Sequence, residues 1–142
     1  MIKNQRGGAA VEFALVLPLL AIILFGTIDF SLLFYNKQVL SNASREGARS
    51  AIVEDHQNAT GFPNDQINII KNYCSNRLVT FGSSNSVNTP TILSSTISGE
   101  VYLTATVTYD YQHLFGPFDF LTSTFGISPT TTITGQTIMR SE

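Results

Sequence analysis

The feature that most constrains this chain is an apolar stretch near its N-terminus. Residues 13–28 carry no charged side chain, and beyond Asp29 residues 30–35 are again mostly apolar. A helix over residues 8–35 would be roughly 42 Å long at about 1.5 Å per residue. The hydrocarbon core of a bilayer is about 30 Å thick, and roughly 20 helical residues cross it. The sequence therefore predicts a membrane-spanning helix over about residues 13–35.

A carboxylate and two glycines distinguish this stretch from a plain membrane anchor. Glu12 lies inside the apolar segment, where a carboxylate is costly and usually has a partner. Gly7 and Gly8 stand between a short basic leader and the apolar run, shortly before Glu12 and Phe13. This arrangement resembles the type IV prepilin processing site, where a dedicated peptidase cuts after a glycine and leaves glutamate as the fifth mature residue. The resemblance places the cut between Gly7 and Gly8.

Two other interpretations of the N-terminus compete with this one. An ordinary secretory signal needs small residues shortly after its apolar core. Ile28 is too large at one candidate cleavage site, and Ala43 at the other lies too far from the apolar run. An uncleaved anchor explains the hydrophobicity but gives no reason for the glycines before Glu12.

The distribution of charge predicts the orientation in the membrane. Lys3 and Arg6 precede the span without an acidic neighbour, so the positive-inside rule places this end in the cytoplasm. Lys37, Arg45 and Arg49 follow the span and weaken the signal. The remainder of the chain is expected in the periplasm or at the cell surface.

The helical pattern continues beyond the membrane to about residue 55. Pro18 is expected to kink the helix, because it cannot donate a backbone hydrogen bond to the preceding turn. Further along, small and apolar residues recur at helical spacing and form one stripe: Leu33, Leu40, Ala43, Gly47, Ala48 and Ala51. Such a stripe covers either the protein's own sheet or another subunit.

The C-terminal part predicts an α+β domain over residues 56–142. A second helix is expected near residues 64–80, with Asn64 as its N-cap. After Pro90 the period changes from helical to two, which predicts an antiparallel sheet with strands over residues 91–97, 100–111 and 130–139. Gly135 is a candidate bulge in the last strand.

Composition excludes several function classes. The formal net charge of −2 gives no support for nucleic-acid binding, which normally needs a basic patch. Cys74 is the single cysteine and excludes an intrachain disulfide. His56 and His113 are far apart and lack neighbouring ligand types, so we expect no metal site and no cofactor. Composition leaves a Ser-His-Asp site open, but no serine lies in a nucleophile elbow, and we expect a protein that is not an enzyme.

Together these features resemble the TadE-like proteins, pseudopilin-like components of the tight adherence (Flp) pilus system. The match is specific over residues 6–51 and architectural from residue 52 onward. The residues that carry it are residues 8–20, Phe25, Gly26, Asp29, residues 42–49, Met139 and Arg140.

The resemblance implies a minor pilin or pseudopilin of the bacterial inner membrane. Its leader, residues 1–7, would be cut by a prepilin peptidase, and residues 8–55 would form the N-terminal helix. Glu12 would guide incorporation by pairing with the amino terminus of a neighbouring subunit. The partners would be other pilins and the pilus assembly platform. Subunit-assembly candidates are Glu12, Pro18, Arg45, Glu46, Gly47 and Arg49.

Three classes of function fit the sequence. The first is the minor pilin or assembly component, the second a membrane-anchored extracytoplasmic binding or sensing module, and the third a membrane-anchored hydrolase. The mature N-terminus separates them, because a start at Gly8 favours the first and an intact Met1 favours the others.

Overall fold

The computed structural model describes most of the chain, namely residues 6–54, 64–80, 86–114, 123–124, 126 and 128–140. The first five leader residues, His56 and the predicted end of the first helix at residue 55 lie outside these ranges.

The molecule is built on one long helix, α1 (Arg6–Glu54), which has 49 residues and continues through Pro18. Within the described residues it is the one helix long and apolar enough to cross a membrane, with a mean hydropathy of 2.4 over its most apolar window. None of that window is buried in the protein. A helix segment that is apolar on all sides and exposed in the folded chain suits a lipid environment.

The C-terminal half of α1 belongs to the folded domain instead. Val39, Leu40 and Ala43 are buried in the core, and Leu32 and Leu33 pack against its edge. The small-residue stripe predicted from the sequence therefore covers the protein's own sheet and second helix over this segment.

The second helix, α2 (Asn64–Ser75), is shorter than predicted. The sequence-based helix extends to about residue 80, but the regular helix ends at Ser75, and the N–H of Arg77 bonds the Cys74 carbonyl, three residues back, at 3.1 Å. Val79 uses both of its backbone groups on the Asn36 side chain: its N–H donates to Oδ1 at 3.0 Å, and its carbonyl accepts from Nδ2 at 2.8 Å. A backbone N–H that donates to Asn36 is unavailable for the next helical hydrogen bond, so the helix ends earlier.

Three antiparallel strands form the sheet among the described residues, in the order β1 (Thr91–Ile97), β2 (Glu100–Gln112) and β3 (Thr130–Arg140). Ser98 and Gly99 join β1 to β2, and both have positive φ angles, of 54° and 85°. Two consecutive residues of this kind make the tight turn that matches the twist of a hairpin. The structure confirms the α+β fold, with a long helix, a short helix and a C-terminal antiparallel sheet.

The alternation predicted for β2 is confirmed by burial from Leu103 onward, whereas Val101, predicted on the same apolar face, is exposed. Leu103, Ala105, Val107, Tyr109 and Tyr111 are all buried on the face that meets the helices. The threonines between them lie on the other face and are partly exposed. An antiparallel sheet with one packed face and one solvated face produces this pattern.

Gly135 corrects one prediction about β3. The pairing of β2 with β3 is continuous, with Gly135 opposite Val107, so there is no bulge. Glycine is required here by packing, because a Cβ atom would lie 2.5 Å from the backbone carbon and oxygen of Leu40. At this point β3 and α1 approach backbone to backbone.

The close approach at Gly135 gives a stability prediction. Gly135→Ala should destabilise the domain by about 1–3 kcal/mol, the usual cost of an overpacked core. The contacts are backbone atoms of α1 and cannot rotate away. Thermal and denaturant unfolding of the detergent-solubilised chain, followed by circular dichroism, measures the loss. Gln136→Ala, at the exposed neighbouring position, is the matched control, and equal stability of the two variants would contradict the packing argument.

Candidate functional site

The predicted processing segment lies in the first turns of α1 and is open to solvent. Gly7 and Gly8 are exposed, and a Cβ atom at either position would meet nothing within 4 Å. The described fold therefore places no steric demand for glycine at the predicted cut. Glu12 and Phe13 are also exposed, and Gly8 lies one helical turn before Glu12 on the same face.

The other subunit-assembly candidates divide into two groups. Pro18, Arg45, Glu46 and Arg49 are exposed, so they are free to meet another molecule. Gly47 is buried, and a Cβ atom there would lie 2.4 Å from Cδ1 of Ile70 in α2. Gly47 therefore serves packing between the two helices of this chain.

Sequence reasoning treated Asp29 as an interruption of the apolar run, but the structure makes it the point where α1 joins the sheet. Its Oδ1 accepts hydrogen bonds from the Tyr111 hydroxyl at 2.9 Å and from the Leu114 backbone N–H at 2.8 Å. Its Oδ2 lies 2.6 Å from Nδ1 of His113, and Nε2 of His113 lies 2.9 Å from the Thr131 hydroxyl oxygen. We call Asp29, Tyr111, His113, Leu114 and Thr131 the Asp29 cluster.

The Asp29 cluster is largely shielded from water. The side chains of His113 and Asp29 are 18% and 14% exposed, and Tyr111 is fully buried. Burial and the neighbouring Asp29 carboxylate raise the pKa of the Tyr111 hydroxyl, so it stays protonated and remains a donor. The rings of Tyr111 and His113 also contact edge to face, with centroids 5.3 Å apart.

The order of hydrogen bonds from Asp29 through His113 to Thr131 is that of a hydrolase triad. Two features favour a structural role. The carboxylate does not serve the imidazole alone, because it also accepts from Tyr111 and Leu114 and so binds α1 to the end of β2. Thr131 lies within the regular β2–β3 pairing, opposite Tyr111, and not in a strained nucleophile turn.

One signal in the sequence pointed toward the Asp29 cluster. A carboxylate in an apolar helix usually has a partner. The partners themselves were not predictable, because Tyr111, His113 and Leu114 lie 82, 84 and 85 residues away in sequence.

Cys74 and the residue types that bind metal ions were the other candidates for chemistry in the described part of the chain. Cys74 is buried, and burial raises the pKa of its thiol to about 11, so the reactive thiolate is disfavoured. Across the described ranges, no group of three or more His, Cys, Asp and Glu side chains is placed to hold a metal ion.

Residues 7–49 match the family model described as TadE-like protein. The chain carries a TadE-like N-terminal segment. The match confirms the predicted resemblance to TadE-like proteins over this segment. It covers the predicted processing segment from Gly7 onward, the exposed apolar segment of α1 and most of the part of α1 that packs on the sheet. Searches of curated proteins and of solved structures found no match to the chain.

The Asp29 cluster predicts that the hydroxyl groups of two tyrosines in β2 contribute very differently to the free energy of unfolding. Tyr111→Phe removes a buried donor to a carboxylate and should lower the free energy of unfolding by about 1.5–3 kcal/mol. Tyr102→Phe removes a similar bond, from the Tyr102 hydroxyl to Glu100 at 3.1 Å, but in an exposed setting, and should change stability little. Denaturant unfolding in micelles compares the two variants. Equal losses would show that the buried contact with Asp29 does not hold α1 to the sheet.

Proposed function

We propose that this chain is a non-enzymatic minor pilin or pseudopilin of the tight adherence (Flp) pilus, cut by a prepilin peptidase between Gly7 and Gly8. The observation that carries the proposal is the TadE-like match over residues 7–49, which spans an apolar helix segment that the folded domain leaves entirely uncovered. Such a segment needs either lipid or the helices of other subunits around it.

The proposed topology is a single pass through the bacterial inner membrane with the N-terminus in the cytoplasm. Lys3 and Arg6 before the span support this orientation. The sheet and α2 follow the span and form a domain that packs on the C-terminal half of α1. This domain would lie in the periplasm, or outside the cell when the protein enters a filament.

Access to the processing segment supports the proposed cleavage. Gly7 and Gly8 are exposed, and within the described part of the chain nothing lies within 4 Å of an added Cβ atom, so no described tertiary contact would obstruct the peptidase at the bond. The prepilin-type site has a requirement for a small residue on the leader side of the bond. This requirement accounts for a glycine at a position where the described fold places no demand for one.

The proposed assembly surface consists of the exposed candidates on α1. After the cut, the new ammonium group of Gly8 would lie one turn from Glu12, and it could pair with Glu12 of its own chain or of a neighbouring subunit. A charge pair in an apolar setting penalises a wrong register, because a misplaced subunit leaves the carboxylate without a partner. Arg45, Glu46 and Arg49 present further charges on the part of α1 that leads away from the membrane.

The alternative is an uncleaved, membrane-anchored binding or sensing module. The same exposed helix would then act as a permanent anchor. Mass spectrometry of the mature protein separates the two functions, since the minor pilin begins at Gly8 and the anchored module retains Met1.

Substitution of Gly7 tests the cleavage site. Gly7→Leu should leave the protein inserted in the membrane but uncut, because the bulky side chain occupies the leader side of the bond. Gel mobility and intact mass, in cells with and without the peptidase, provide the measurement. Gly26→Leu, at another α1 glycine with nothing within 4 Å, should be processed normally. Normal processing of Gly7→Leu would refute the assigned site.

Substitution of Glu12 tests the assembly role. Glu12→Gln should insert in the membrane as well as the parent or better, because a neutral amide is less costly there than a carboxylate. Cleavage should change less than in Gly7→Leu, while pilus-dependent adherence should fall. Glu100→Gln, at an exposed carboxylate of the sheet, is the control. A Glu12→Gln strain that piliates and adheres normally at normal protein level would show that this carboxylate has no assembly role.

A further inference from the structure

The Asp29 cluster limits how far the hydrocarbon core of the bilayer can extend along α1. Asp29 is held against the end of the sheet, where His113, Thr130 and Thr131 bring polar side chains together. The backbone N–H of His113 also bonds the Pro129 carbonyl at 3.1 Å, where the chain enters β3. Irregular backbone and polar side chains of this kind are not tolerated facing hydrocarbon. The hydrocarbon core therefore ends at or before Asp29.

The number of helical residues needed to cross the hydrocarbon core, counted back from Asp29, gives the position of the membrane span. The 20 or so helical residues that cross about 30 Å of hydrocarbon correspond to residues 9–28. The sequence-based span was about residues 13–35, so the contacts of the sheet move it toward the N-terminus. Glu12 would then lie about 4.5 Å inside the cytoplasmic boundary, one turn from the aqueous phase.

Three aromatic residues follow Asp29 and face away from the sheet. Phe30, Phe34 and Tyr35 are 62%, 55% and 47% exposed, although they belong to a segment whose other face is packed in the domain. The rings of Phe30 and Phe34 contact edge to face, with centroids 4.6 Å apart. An exposed group of large aromatic side chains usually marks a surface that meets lipid or another molecule.

We propose that Phe30, Phe34 and Tyr35 form an aromatic collar in the outer interfacial layer of the membrane, with the edge of the hydrocarbon core set at Asp29. The proposal rests on the membrane anchoring in the proposed function. The headgroup region adds about 5–8 Å to each side of the hydrocarbon core. Phe30, Phe34 and Tyr35 lie about 1.5, 7.5 and 9 Å beyond Asp29 along the helix, so the two phenylalanines lie within this layer and Tyr35 lies at its outer edge.

The sequence of side chains along this face supports lipid as the occupant. The collar continues directly from the exposed apolar face below it, where Ile23 is 59% exposed. One turn above Phe34 the same face changes to Gln38, which is exposed and bonds Asn42. The aromatic residues therefore end at the height where the interfacial layer ends. Tyrosine is one of the two side chains enriched at this level in membrane proteins, so Tyr35 fits the interfacial layer by residue type, and Phe30 and Phe34 add apolar surface beside it.

Tryptophan scanning tests the collar, because the chain contains no tryptophan of its own. Ile23→Trp, Phe34→Trp and Gln38→Trp place the probe on one helix face at three heights. Each full-length variant is reconstituted in phosphatidylcholine and phosphatidylglycerol vesicles. Quenching is measured with acrylamide and with lipids brominated near the headgroup or deep in the chains. Tyr35→Trp gives an independent reading at the height of the collar.

The proposal expects three distinct results. The Ile23→Trp emission should be the most blue-shifted and should be quenched mainly by lipids brominated deep in their acyl chains. The Phe34→Trp emission should be lost mainly with lipids brominated near the headgroup. The Gln38→Trp emission should be lost with acrylamide and keep its intensity with both brominated lipids.

Other results overturn the collar in distinguishable ways. If the Phe34→Trp emission responds to the quenchers as Gln38→Trp does, the aromatic residues lie in water. If it responds as Ile23→Trp does, the hydrocarbon core extends well beyond Asp29. Protection of Phe34→Trp from both quenchers, relieved when the protein is diluted in lipid, assigns this face to a second copy of the chain. Ile23→Trp in water would refute the membrane anchor itself, and with it the topology in the proposed function.

Discussion

The structure depends on the carboxylate of Asp29, which joins a long apolar helix to a small sheet. Tyr111 and Leu114 donate to it from the end of β2, and His113 meets its other oxygen. Before this point α1 is exposed, and beyond it the helix is part of the core. A charged group accepting several partly buried hydrogen bonds is costly to displace. The contact therefore fixes where the exposed apolar segment of α1 ends and the packed domain begins.

Small residues allow the same helix to serve as the core of the domain. Gly135 lets β3 approach the backbone of Leu40, and Gly47 lets Ile70 of α2 reach the helix surface. The hydroxyls of Ser44 and Thr137, 2.7 Å apart, and the Lys37 ammonium on the Thr134 carbonyl hold α1 along β3. Close packing of this kind keeps the sheet at a defined position on the helix.

The packing also decides which residues remain available to partners. The stripe containing Ala43 and Gly47 is used within the chain, whereas Glu12, Pro18 and the charges near Arg45 point outward. The proposed membrane anchoring rests on the exposed apolar segment before Asp29, and the proposed subunit contacts rest on Glu12 and on the exposed charges beyond Asp29. The TadE-like match covers this helix, up to residue 49.

The sequence by itself determined the elements that rest on local periodicity. The apolar run predicted α1, the alternation along β2 predicted its buried face, and Gly7, Gly8 and Glu12 pointed to the family. Tertiary structure decided the rest, because those outcomes depend on atoms distant in sequence. Asn36 ends α2 through Val79, 43 residues away, and the backbone of Leu40 makes Gly135 a packing residue and not a bulge. Asp29 acquires its role only when folding brings Tyr111 and His113 to it, since periodicity records which face is apolar but not which side chain will meet it.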